Sequence, residues 1–165
     1  VLAQVKDRHP RTLRYVLSEM MREPLFPIPI TVFGAELEFH DFHCGEVLDL
    51  GGKRVRQIST PHVPHGWEAQ VLFEETTGTL LCGDLFSQVG APPALTDEDL
   101  VDPAVAAEEM FHATCLAPHT AATVRALGDL EPRTLAVMHG ASYRGDGRKA
   151  LYDLAAEYER MLASA

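Results

Sequence analysis

Cysteine is scarce in this chain of 165 residues: Cys44, Cys82 and Cys115 make an odd count without paired spacing. That pattern fits free thiols in a reducing compartment and argues against a disulfide framework. Long hydrophobic runs are missing too, so no segment is expected to span a membrane. The opening residues lack the basic and then apolar order of a secretion signal, and the expected location is the cytoplasm. Positive charge is in short supply: 14 Lys and Arg face 24 Asp and Glu, a formal net charge of −10. A field of that sign repels phosphate and anionic lipid, so neither nucleic acid nor a membrane is an expected partner. There is no internal repeat and no low-complexity tract to suggest a solenoid or a disordered chain.

What is present is an ordinary globular composition, 46% hydrophobic and 23% charged, at a length that buries a core without staples. One domain spanning residues 1–165 is expected. Its first part differs in charge. Residues 1–22 carry five basic groups against Asp7 and Glu19, a net of +3, which leaves −13 for the rest. Residues 1–29 read as a basic helix, apolar at Leu13, Val16, Leu17, Met20 and Met21, and a connector stiffened by Pro24, Pro27 and Pro29.

Further on, the pattern alternates between hairpins and helices. Ile30 to Phe33 reads as a short strand. Val47 to Leu50 and Lys53 to Ile58 flank a Gly51-Gly52 turn, and Gln70 to Glu74 and Thr79 to Cys82 flank Thr76-Thr77-Gly78. Asp102-Pro103 reads as a helix start running to about Thr114, with Asp102 as its cap. Thr120 reads as the cap of a second helix ended by Gly128, and Leu135 to Met138 as a strand. Asp146 opens a last helix with a stripe of Leu151, Leu154, Ala155, Tyr158 and Leu162. The class is α/β or α+β, a sheet with helices packed on it.

Eight histidines are many for this length, and three segments put metal-capable groups just after apolar strands. They are Thr60-Pro61-His62-Val63-Pro64-His65-Gly66-Trp67-Glu68, Leu80-Leu81-Cys82-Gly83-Asp84, and Leu135-Ala136-Val137-Met138-His139-Gly140. Strand ends are where a sheet presents functional groups at its edge. Imidazole nitrogen and carboxylate oxygen suit zinc, iron or manganese. One carboxylate has two oxygens and can bridge two ions.

In this order, with Leu48-Asp49-Leu50-Gly51-Gly52 before them, these motifs resemble the metallo-β-lactamase superfamily. The His65-Gly66-Trp67-Glu68 segment and the ending Met138-His139-Gly140-Ala141-Ser142-Tyr143-Arg144-Gly145-Asp146-Gly147 resemble its oxygen-binding di-iron branch, akin to the metal domain of flavodiiron proteins. The likeness runs from about Glu46 to Leu162. It implies an αββα sandwich, with His65 and His139 as metal ligands and Asp84 as the bridging carboxylate. His62 matches a less certain position. The superfamily's first cluster, His-x-His-x-Asp-His or His-x-Glu-x-Asp, lies N-terminal to all of this and is not found. His40-Asp41-Phe42-His43 resembles half of it and reads better as a polar turn. The resemblance therefore implies a fold lacking its N-terminal half-sheet, as in a fragment of a longer protein, and a site with ligands for one ion.

The remaining polar residues have plain readings beside functional ones. Trp67 and Glu68 either line the pocket or pack at the domain edge. His119 either faces the active-site mouth or sits in a capping turn. Tyr143 and Arg144 either gate access or belong to a solvated loop. Cys82 reads as core, His112 as structural and Asp97-Glu98-Asp99 as a solvated turn. Three functions remain in view. One is a di-iron redox protein that binds a diatomic gas and takes electrons from a flavin or rubredoxin partner. Another is a zinc hydrolase of a small-molecule ester, thioester or amide. The third is a non-catalytic fragment or binding module with an incomplete site of one or two metal ions. An unpaired sheet edge would favour a homo-oligomer.

Overall fold

A computed structural model describes residues 31–32, 35–36 and 45–164. The basic helix, the proline connector and the His40 to His43 segment lie outside the described residues. Strands β1 (Thr31–Val32) and β2 (Ala35–Glu36) pair antiparallel as a small ribbon. Seven further strands form one sheet: β3 (Val47–Asp49), β4 (Arg54–Ser59), β5 (Gln70–Glu74), β6 (Thr79–Gly83), β7 (Leu95–Thr96), β8 (Thr134–Val137) and β9 (Ser142–Arg144). Their order across the sheet is β3-β4-β5-β6-β8-β9-β7. The helices are α1 (Val101–Phe111), α2 (Thr120–Gly128) and α3 (Gly147–Ser164).

Period-two burial explains the sheet. On β5, Val71 and Phe73 are buried, and on β6 Leu80 and Cys82 are buried while Leu81 between them is exposed. That face joins Leu135 of β8 and receives the helices. Of the predicted stripe of α3, Leu151, Leu154, Ala155 and Tyr158 are buried in this core, while Leu162 is only half-buried. The Cys82 thiol is a core group, and burial pushes it up to about 12.

Both predicted hairpins form. Gly51 and Gly52 adopt φ of 85° and 93°, values that only glycine takes cheaply, and the Asp49 carboxylate accepts both of their N–H groups. In the second turn the Glu74 carboxylate accepts the N–H groups of Thr76 and Thr77 and the Thr77 hydroxyl.

Several expectations about element ends are corrected. Helix α1 begins at Val101 and ends at Phe111, not near Thr114. Its capping carboxylate is Asp99, which accepts from Val101 N–H at 3.2 Å and Asp102 N–H at 2.9 Å, so Asp102 is not the cap. Thr120 does not cap α2. Its buried hydroxyl donates to the Cys115 carbonyl and accepts from Ala117 N–H, tying the helix to the preceding loop. Asp146 does cap α3, accepting from Lys149 N–H at 2.9 Å. Tyr143 and Arg144 belong to β9, paired with β7 and β8, rather than to a solvated loop. Strands of two or three residues leave too short a period to read.

Among the described residues, no helix is long and apolar enough to cross a membrane.

Candidate functional site

Sheet direction brings the three motifs together. β4 and β5 pair antiparallel, as do β5 and β6, so β4 runs in the same direction as β6. β6 and β8 pair parallel. The C-terminal ends of β4, β6 and β8 therefore meet at one edge, and His65, Asp84 and His139 follow those three ends. Register sharpens this: Gly83 lies opposite Val137, and Met138 N–H donates to the Gly83 carbonyl at 3.1 Å. The turn into Asp84 uses Gly83 at a φ of 57°.

The two histidines reach opposite oxygens of Asp84. His65 Nε2 lies 2.7 Å from Asp84 Oδ2, and His139 Nε2 lies 3.3 Å from Oδ1. His65 is tightly placed: its Nδ1 is 3.0 Å from the Ala113 carbonyl, and its ring lies 4.4 Å from that of Trp67, centre to centre. A carbonyl only accepts, so Nδ1 carries the proton and donates. Nε2 then presents a lone pair to a carboxylate oxygen at 2.7 Å. That contact holds only if a proton or another cation lies between the two atoms. Asp84 Oδ1 is buried and has no hydrogen-bond partner. An unsatisfied buried carboxylate oxygen is costly, and a cation at the cluster offsets that cost.

These observations test whether the residues fit a metal ion. Two imidazole nitrogens and a carboxylate make a donor set of the right chemistry for one iron or zinc. A backbone carbonyl on the far nitrogen of a ligating histidine is the usual orienting arrangement. The His139 Nε2 to Oδ1 separation is close to the ~3.3 Å between neighbouring tetrahedral ligands at about 2 Å from an ion. The His65 contact is shorter, at 2.7 Å. Among the described residues, no three His, Cys, Asp or Glu side chains stand in a ready-made metal-binding arrangement. The donor chemistry suits one ion at most, and donors for a second are not found among those residues.

The other sequence candidates divide. Trp67 is 62% exposed and stacks on His65. His62, at a φ of 61°, and His119, just before α2, bring their rings to 6.2 Å from each other. Neither lines the cleft with Asp84. Glu68 is exposed and also outside the cleft, and Tyr143 packs against the core from β9.

A cleft of about 280 Å³ opens beside the cluster. Its apolar wall is Phe86, Ala104, Ala107 and Phe111, three of them from α1. The carboxylate of Glu108, also in the wall, is occupied by Thr114, which donates its N–H at 3.1 Å and its hydroxyl at 2.7 Å. The Tyr158 hydroxyl stands 3.4 Å from Thr114 Oγ1, and burial pushes its pKa up to about 12. Sequence reasoning missed this wall and also missed Gln88, which lines the same cleft. Alternating small residues at Ala104 and Ala107, one turn apart and ending in Phe111, were the available signal.

No family model matches the chain, and no curated protein matches it. Solved structures do. The peroxy di-iron species of the chemotaxis sensor ODP is 20% identical over 67% of this chain and 48% of its own, with a TM-score of 0.55. Rubredoxin oxygen:oxidoreductase from Desulfovibrio gigas is 18% identical over 73% of this chain and 31% of its own, at 0.55. A mutant flavo di-iron protein from Thermotoga maritima is 18% identical over 76% and 32%, at 0.57. The likeness shows the fold alone, which is the one these di-iron proteins and the oxidoreductase share. The chain spans less than half the length of each of these structures.

Proposed function

We propose that this chain forms one side of a metal centre, with His65, Asp84 and His139 as ligands, in a redox protein that binds a diatomic gas. The observation that carries the reading is the convergence of two histidines from separate strand ends on the two oxygens of Asp84. Iron is favoured because the flanking motifs resemble the di-iron branch and the matched structures are described as di-iron or oxygen-reducing proteins. Bound there, iron would supply reversible redox chemistry toward the gas.

The chain's own residues have definite tasks. The Ala113 carbonyl holds the His65 ring in the tautomer that leaves Nε2 free for an ion. The parallel β6–β8 pair fixes Asp84 relative to His139. Phe86, Ala104 and Ala107 keep the approach from the cleft apolar. Electrons would come from a flavin or rubredoxin-type partner.

The cleft volume favours a second reading. About 280 Å³ exceeds what a diatomic molecule needs, and it admits the body of a small ester, thioester or amide beside a zinc ion. Loading the chain with ferrous iron without oxygen, then adding nitric oxide, separates the two. Visible bands from an iron–nitrosyl adduct are expected. Zinc retained with ester or thioester hydrolysis would replace the first reading with the second. Retention of neither metal would overturn both.

A further inference from the structure

Gln88 is not a ligand candidate, yet both its backbone and its side chain bind the His139 loop. Its backbone N–H donates to the His139 carbonyl at 2.6 Å. Its side-chain Oε1 accepts from Ala141 N–H at 3.2 Å. Between those two points its side chain lies on Gly140. A Cβ there would stand 2.9 Å from Gln88 Cδ and 3.1 Å from its Cβ and Cγ. Gly140 also adopts a φ of 153°, which side-chain-bearing residues rarely take. One glutamine therefore grips three consecutive residues, and the first of them is His139.

The grip joins both sides of the cluster. Gln88 ends the turn that begins at Asp84, where Ser87 donates its N–H and hydroxyl to the Asp84 carbonyl at 3.3 Å and 2.8 Å. The His139 side chain is 64% exposed and needs restraint from its backbone. A ligand that far into solvent would otherwise lose rotamer and loop entropy on binding.

We propose that Gln88 is the positioning residue for His139, locking the His139–Ala141 backbone to the Asp84 turn so that both side chains face one ion. This rests on the reading of His65, Asp84 and His139 as a metal site. It predicts a loss of the kind seen when a supporting hydrogen bond behind a ligand is removed, about tenfold or more in affinity.

The test uses Gln88→Met, which keeps the length but removes the acceptor, and Gly140→Ala, which pushes from the other side. Two measurements are made on each. The first is hydrogen exchange of the Ala141 amide in metal-free protein. The second is cobalt(II) titration, with affinity and the d–d absorption bands as readouts. Gln88→Met is expected to speed Ala141 exchange by about tenfold, to weaken cobalt binding by about tenfold and to shift the bands. Near-ultraviolet circular dichroism checks that the fold persists. Gly140→Ala should weaken cobalt binding as well, and less so on a Gln88→Ala background, where the colliding side chain is gone. Unchanged exchange in Gln88→Met overturns the proposal, and so does faster exchange with cobalt affinity and bands intact. If the parent chain binds no cobalt, the metal-site reading fails, and with it the positioning role, while the exchange result still reports whether the grip exists.

Discussion

The Glu74 turn leads into β6, and Asp84 follows the end of β6, so acid should loosen the site from this end. Burial raises the Glu74 carboxyl, but hydrogen bonds from the hydroxyls and N–H groups of Thr76 and Thr77 outweigh it and leave the pKa at about 2, against 4.5 normally. Each pH unit between those values is worth about 1.4 kcal/mol, which sets a ceiling of about 3 kcal/mol. The turn lies at the surface, and screening reduces this to about 1–2 kcal/mol. A depressed carboxylate stabilises the fold fully above about pH 4.5, and that contribution disappears as pH falls toward 2. Glu74→Gln removes it at every pH. Urea unfolding of both proteins at pH 7, 4 and 3 isolates the effect. The parent should exceed the variant by about 1–2 kcal/mol at pH 7, with the gap closing as pH approaches 2. A gap that stays constant across the series would refute the reasoning.

Other predictions follow from packing. Gly147→Ala places a methyl group against the Pro132 carbonyl oxygen and ring at the start of α3. It should cost about 1–3 kcal/mol, read as a lower Tm. A variant with the parent's Tm would mean that α3 is not seated there. Ala107→Phe narrows the cleft at a wall residue that is not one of the proposed ligands. Metal content should hold while nitric oxide binding slows by about tenfold, measured by stopped flow. Unchanged kinetics would show that the gas enters by another route.

Much of this was legible in the residues. The two hairpins announced themselves through Gly-Gly and Thr-Thr-Gly turns, and α3 through its apolar stripe. The three motifs stood out because each follows a strand, but His65, Asp84 and His139 were singled out as ligands only through the resemblance; they meet at one edge because β4, β6 and β8 run in the same direction. Capping was not legible at Asp99. An acidic run offers several carboxylates, and only the chain path decides which one meets the free N–H groups. Gln88 was invisible for a related reason. Its partners lie some fifty residues away in the chain, and neither a glutamine nor a glycine beside a histidine signals that they pack together. The cleft was hidden too, since its lining comes from α1, α3 and four loops far apart in the chain.

The most direct test of the central claim is equilibrium metal binding to the parent chain and to Asp84→Ala, with iron and zinc each titrated under anaerobic conditions. The account predicts on the order of one ion per parent chain. It predicts binding weakened by more than about a hundredfold in the variant, since both histidines lose the carboxylate they share. An Asp84→Ala protein that binds either metal as tightly as the parent would contradict it.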